Sequence, residues 1–169
     1  MHLRWSQTAI TFDQEDHPDR VRHLGRYPLV VSPIVGTRHL TKVLIDGGSG
    51  LNILYASVLD NMGIPRSNLL TSKAPFYGIV PGKEVVPLGH IWLNVTFSQP
   101  DNFYKEPLTF KVVHFLSVYH ALLGQSCFAK FMAVPNYTYL KLKMPGPKGV
   151  IIVKGSFKQA YYCEQDCVT

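Results

Sequence analysis

The chain has 169 residues, a formal charge of +6 and 46% hydrophobic residues, which fits one domain with a sizeable core. No uninterrupted apolar run approaches the roughly 20 residues of a membrane span, so none is expected. The opening MHLRWSQTAITFDQEDHPDR lacks the apolar core of a signal peptide, and the chain reads as intracellular, cytoplasmic and not secreted. The sequons at Asn94-Val95-Thr96 and Asn136-Tyr137-Thr138 are then chance. Cys127, Cys163 and Cys167 are an odd number in such a chain, so disulfides are not expected. Neither the cysteines nor the scattered histidines show paired-ligand spacing, and no metal or other cofactor is predicted. The basic residues are spread out, with only Lys141 and Lys143 alternating along one strand, and no RNA-binding signature accompanies them. That pattern reads as a mildly basic solvated surface rather than a nucleic-acid interface.

Taken in chain order, residues 1–25 are a polar, weakly structured lead-in. Residues 28–35 and 39–46 are apolar strands turning at Gly36-Thr37-Arg38. Residues 56–64, ASVLDNMGI, place Val58, Leu59 and Met62 on one helical face, with Gly63 as the stop. Phe76 to Val80 and Glu84 to Leu88 form a hairpin around Val80-Pro81-Gly82-Lys83, where Pro then Gly signals a type II turn. His90 to Phe97 alternates as a half-buried strand. Residues 98–107 read as a loop, Leu108 to His114 and Ala121 to Leu123 as strands, and Gln125 to Phe131 as a short helix. Tyr137 to Met144 and Val150 to Val153 are the last predicted strands, separated by the turn at Pro145-Gly146-Pro147. Residues 156–169 are a tail. Many short strands with one or two short helices argue an all-β, closed barrel.

One segment stands out. In VLIDGGSGLNIL, residues 43–54, Asp46 follows three aliphatics and precedes Gly47-Gly48-Ser49-Gly50. A carboxylate at the end of a buried strand is costly to ionise unless something compensates. The plain alternative is an Asp capping a glycine turn.

This segment resembles the active-site strand of retroviral-type aspartic proteases, a hydrophobic strand ending in Asp-Thr/Ser-Gly-Ala/Ser. Upstream, YPLVVSPIVGTRHLTKVLID is similar to that family's opening hairpin. Downstream, YHALLGQSCFAKF is similar to its second signature. The Asp-Gly-Gly-Ser form and the stretch AVPNYTYLKLKMPGP resemble plant gypsy-type LTR retrotransposons. The resemblance spans residues 26–155 and implies an acid-protease barrel there. It implies that Asp46 is catalytic, that Gly47, Gly48 and Ser49 form the active-site loop, and that the Gly48 N–H supports the Asp46 carboxylate. By the same resemblance Gly78, Ile79, Val80, Pro81 and Gly82 are a flap, and Leu122, Leu123 and Gly124 run under the catalytic loop.

Such chemistry uses two carboxylates, and no other Asp of the chain stands in the hydrophobic-Asp-x-Gly context. The implied assembly is a homodimer in which Asp46 from each chain meets across a two-fold axis. Two carboxylates that close cannot both ionise, so they share a proton, and the ionised one activates a water. No metal and no covalent intermediate is required. The substrate would be an extended peptide or polyprotein, cleaved within a retrotransposon particle. Two departures matter. Gly47 replaces a hydroxyl residue that bonds across the axis, which implies a weaker dimer that Gly47→Thr would tighten. Gln125 and Gly50 replace an Arg and an Asp that pair in the retroviral branch. A decayed or domesticated domain that dimerises and binds peptide without cutting is the competing function. A Ser49 hydrolase fails on spacing, because Leu51 stands where Gly-x-Ser-x-Gly needs glycine.

Overall fold

The structure is a computed structural model that describes residues 9–16, 27–71 and 87–168. Eight strands form its main sheet: β1 (Val30–Val31), β2 (Ile34–Val35), β3 (Arg38–His39), β4 (Val43–Ile45), β5 (Asn52–Tyr55), β6 (Gly89–Gln99), β7 (Asn102–Val113) and β8 (Ala121–Leu123). Their order is β1-β4-β8-β5-β7-β6-β2-β3, a curled half-barrel. Among the described residues the ladder has two ends, β1 and β3, so a closed barrel is not what its hydrogen bonds show. A smaller sheet of β9 (Val134–Asn136), β10 (Lys141–Gly146) and β11 (Gly149–Lys154) packs on the long β6–β7 hairpin. Helices α1 (Ala56–Asn61), α2 (Gln125–Phe131) and α3 (Phe157–Val168) complete the fold.

The opening hairpin forms as expected, turning at Gly36 with φ of 61°, but each arm is interrupted. Pro33, which has no N–H to give a ladder, separates β1 from β2. Helix α1 ends two residues before Gly63, whose φ of 76° suits glycine. Helix α2 spans the predicted residues. The predicted flap hairpin, Gly78 to Gly82 included, lies outside the described residues.

Several segments differ from the sequence reading: residues 156–169, read as a tail, carry α3, and Pro145-Gly146, read as part of a turn, end β10 in register with Val150 and Gly149. Residues 98–107, read as a loop, are mostly strand: β6 runs to Gln99 and β7 starts at Asn102, with register from Gly89↔Val112 to Gln99↔Asn102. The reversal needs only Pro100 and Asp101, and Asp101 takes a φ of 61°, which aspartate tolerates better than most residues. Pro107 is accommodated because β5 pairs with β7 only from Phe110 onward, which among the described residues leaves this stretch unpaired on one side. The predicted strand from Tyr137 to Met144 starts late, at Lys141. Asn136 Oδ1 accepts from the Tyr139 N–H at 2.9 Å, and Leu140 has a φ of 53°, so residues 137–140 turn instead of extending.

The main core lies on the inner face of the curled sheet, where Val95, Phe97, Leu108, Phe110, Val112 and Leu123 meet Leu59 of α1 and Cys127 and Phe131 of α2. Phe131 stacks edge-on against Phe97 and Tyr104, each at 5.0 Å between ring centroids. Burial pushes the Cys127 thiol up to about 12, which keeps it protonated and inert. The opposite face of β4, β5, β7 and β8 carries a second apolar cluster of Ile53, Tyr55, Val113 and Leu122.

Lys141 and Lys143 are buried, not solvated. Residues 9–16 lie over them, with Lys143 Nζ 2.8 Å from Asp16 Oδ2 and 2.7 Å from the Thr11 carbonyl. Lys141 Nζ donates to the Asp16 carbonyl. The Lys143 hydrogen bond, with a backbone one at Asp13, holds the Asp16 carboxyl below the usual carboxylate range. Alternating lysines looked like a wet strand face because their partner lies more than a hundred residues away in sequence. At the other end α3 buries Ala160 and Cys163, and Tyr27 meets Phe157 edge-on.

Candidate active site

Strand β4 delivers Asp46 from between two neighbours. It pairs antiparallel with β1 and parallel with β8, in the register Val43↔Ala121, Leu44↔Leu122 and Ile45↔Leu123. Val43 and Ile45 are fully buried, which fixes the strand and places the half-exposed Asp46 at its end. The Asp46 N–H donates to the Leu123 carbonyl at 2.9 Å, so the pairing with β8 reaches the carboxylate residue itself. Asp46 Oδ1 accepts from the Gly48 N–H at 3.0 Å. This bond fixes the orientation of the carboxylate.

The loop is tied down from below by the start of α2. Gln125 donates its backbone N–H to the Ser49 carbonyl at 2.8 Å and its side-chain Nε2 to the Gly47 carbonyl at 2.9 Å. Gln125 therefore clamps the loop as a neutral donor, with no need for an ion pair to residue 50. The Ser49 hydroxyl is spent locally, donating to the Leu51 carbonyl at 2.9 Å and accepting from the Leu51 N–H at 3.1 Å. Gly124 lies so close under this loop that a Cβ there would stand 2.5 Å from both the Ser49 and Leu51 carbonyl oxygens.

Asn52 is a support residue that the sequence reading missed. It is buried, its Oδ1 accepts from the Gly124 N–H at 2.9 Å, and its Nδ2 donates to the Thr109 carbonyl at 3.2 Å. One side chain of β5 thus joins Gly124, under the Asp46 loop, to β7. A polar residue heading an apolar run, Asn52-Ile53-Leu54, was the available signal, since a buried Asn must find partners.

In front of Asp46 is an open depression of about 550 Å³, lined by Pro28, Leu29, Leu44, Ile45, Gly47, Gly48 and Tyr137. Gly47 does not face empty space. A Cβ on it would stand 2.7 Å from the Tyr137 hydroxyl oxygen, so Tyr137 already occupies the volume a threonine would take. A threonine there has to displace the Tyr137 hydroxyl, the far end of a side chain, before it can reach across a dimer axis. Two tyrosines feel the Asp46 charge. Burial raises Tyr55 above the ordinary phenol value, against a hydrogen bond from Ser117, and burial likewise raises Tyr137, with Asp46 adding to each.

His120 locks the approach to β4. Its Nδ1 accepts from the Thr41 and Lys42 N–H groups at 3.3 and 3.2 Å, and its backbone N–H donates to the Lys42 carbonyl at 2.8 Å. Burial, then the Lys42 charge, lowers its pKa below the ordinary 6.5. The unfolded chain binds more protons than the folded one between the lowered and ordinary values, so stability rises with pH there. This contribution is complete above the ordinary histidine range and is lost as pH falls through it. The thermal midpoint of the wild type is therefore expected to drop further than that of His120→Gln from about pH 7.5 to about pH 5. Parallel pH profiles from the two proteins would show that His120 is not the group responsible.

No protein-family model matches this chain, and no curated protein matches it. Among solved structures it is similar to the retroviral protease-like domain of Ddi1 from Leishmania major, with 14% identity, 77% of this chain and 94% of that chain covered, and a TM-score of 0.56. It also matches a retropepsin-like aspartic protease from Rickettsia conorii at 17% identity, over 73% of this chain and 79% of that chain, with a TM-score of 0.45. The likeness to the Ddi1 domain shows the fold: this chain has the architecture of a retroviral protease-like domain. Among the described residues no helix is long and apolar enough to cross a membrane.

Proposed function

We propose that this chain is an aspartic endopeptidase of retrotransposon type, acting as a homodimer in which two Asp46 carboxylates share one active site. The observation that carries the reading is Asp46 itself: it ends a buried strand, accepts from the Gly48 N–H at 3.0 Å, and faces an open depression. The retroviral protease-like fold supports it, because the loop stands on β8 and α2 as the sequence motifs require.

In the proposed reaction the ionised member of the pair takes a proton from a water held between the carboxylates. The protonated member donates to the scissile carbonyl oxygen, giving a tetrahedral diol. The roles reverse as the amine leaves with a proton. The flap, Gly78 to Gly82, closes over an extended peptide and pairs with its backbone. Pro28 and Leu44, which line the depression, offer apolar side chains of the peptide a contact beside Asp46. Polyprotein processing, a plant gypsy-type origin and closure of the barrel in the whole assembly belong to this proposal. The origin rests on the Asp46-Gly47-Gly48-Ser49 motif.

The test is cleavage of a peptide library across pH. Expected is an acid optimum, block by a statyl-type transition-state mimic, and indifference to chelators and serine reagents. Cleavage that is lost with a chelator or with a serine reagent sinks the proposal. Peptide binding without cleavage at any pH favours the non-cutting domain.

A further inference from the structure

The Asp46 loop carries glycine at positions 47, 48 and 50, and such a backbone samples many conformations unless it is held. A reacting carboxylate has to stay within roughly 0.5 Å of its working position. The Gly47 peptide is held on one side by Gln125 Nε2, which donates to its carbonyl at 2.9 Å. On the other side stands Tyr137. Its hydroxyl packs against the Gly47 backbone: the hydroxyl oxygen, Cζ and Cε2 lie 2.7, 3.6 and 3.7 Å from where a Cβ on Gly47 would be. The ring also lines the depression in front of Asp46. The turn that presents it has a set shape, through the Asn136–Tyr139 hydrogen bond and the left-handed Leu140.

We infer that Tyr137 is a positioning residue for Asp46, its hydroxyl pinning the Gly47 backbone from the turn between β9 and β10, and that glycine at 47 is the space this hydroxyl needs. The inference rests on reading the chain as a peptidase. The pin is a side chain brought in from another element, in place of a hydroxyl carried at position 47. Burial, with the Asp46 charge, keeps the phenol protonated throughout the acid range. The hydroxyl that stands against Gly47 therefore retains its own proton to donate toward the depression. Phenylalanine keeps the ring and removes the hydroxyl that stands against Gly47.

The test compares peptide cleavage and thermal melting for the wild type, Tyr137→Phe, Gly47→Thr and the double variant Gly47→Thr/Tyr137→Ala. Tyr137→Phe is expected to lower kcat about tenfold, the value of one good hydrogen bond, with KM within about twofold and little change in melting. Gly47→Thr alone is expected to lose more activity, and adding Tyr137→Ala to restore part of it by vacating the space the threonine needs. A Tyr137→Phe enzyme within twofold of wild-type kcat overturns the inference. So does a Gly47→Thr defect that Tyr137→Ala leaves unchanged. An inactive wild type, or cleavage that survives Asp46→Asn, defeats the peptidase reading instead. The pin is then decided by NMR: Tyr137→Phe must shift the Gly47 and Gly48 amide resonances, and unmoved amides overturn it.

Discussion

Gly124→Ala is expected to destabilise the fold by about 3 kcal/mol, the upper end of the usual cost of overpacking. Its φ of −103° is open to any residue, so backbone strain is not the reason. The reason is space. The new methyl would stand 2.5 Å from the Ser49 and Leu51 carbonyl oxygens, and both are backbone atoms that no rotamer change can move aside. Relief means lifting the Asp46 loop, which stretches the Gln125 bonds to Ser49 and Gly47 and the Asn52 bond to the Gly124 N–H. Cleavage should fall with stability. Gly50→Ala is the matched control, because nothing lies within 4 Å of a Cβ there, and a surface change of that kind stays within about 0.5 kcal/mol. Urea unfolding of the two variants checks the contrast; equal midpoints would mean the loop is not seated on Gly124.

Asp46→Asn is expected to lower kcat by about 10³-fold or more, within the range of lost general acid–base catalysis. The fold should be unaffected. Asparagine keeps an oxygen to accept from the Gly48 N–H, and the side chain is half-exposed rather than packed in the core. What it cannot do is take a proton from water. Single-turnover cleavage alongside thermal melting separates the two effects. An unchanged melting midpoint with activity gone is the expected pair of results, whereas activity within tenfold of wild type would remove Asp46 from the chemistry.

The parts of the site that were legible in the sequence are those written in consecutive residues. Val43-Leu44-Ile45-Asp46 announces a buried strand ending in a carboxylate, and Gly124 followed by Gln125 to Phe131 announces a strand end and a helix. The parts that were not legible depend on partners far along the chain. Asn52 looks like any loop asparagine until Gly124 and Thr109 are placed beside it. Gly47 looks like a missing hydroxyl until Tyr137 is seen filling the gap. Lys141 and Lys143 look solvated until Asp16 and Thr11 are laid over them. Local pattern misled in residues 98–107 as well. There Pro100 and Pro107 suggested a loop, yet a two-residue reversal and an unpaired strand flank accommodate both.

Mixing the wild type with Asp46→Asn tests the central claim, that one active site needs Asp46 from two copies, most directly. The wild-type concentration is held fixed, the variant is added in about tenfold excess, and the chains are left to exchange before peptide cleavage is measured. Random pairing then leaves about one wild-type chain in ten with a wild-type partner, and the rate is expected to fall to about a tenth. A rate that stays constant as Asp46→Asn is added would mean that each chain cleaves without its neighbour's carboxylate, and would contradict the shared dyad.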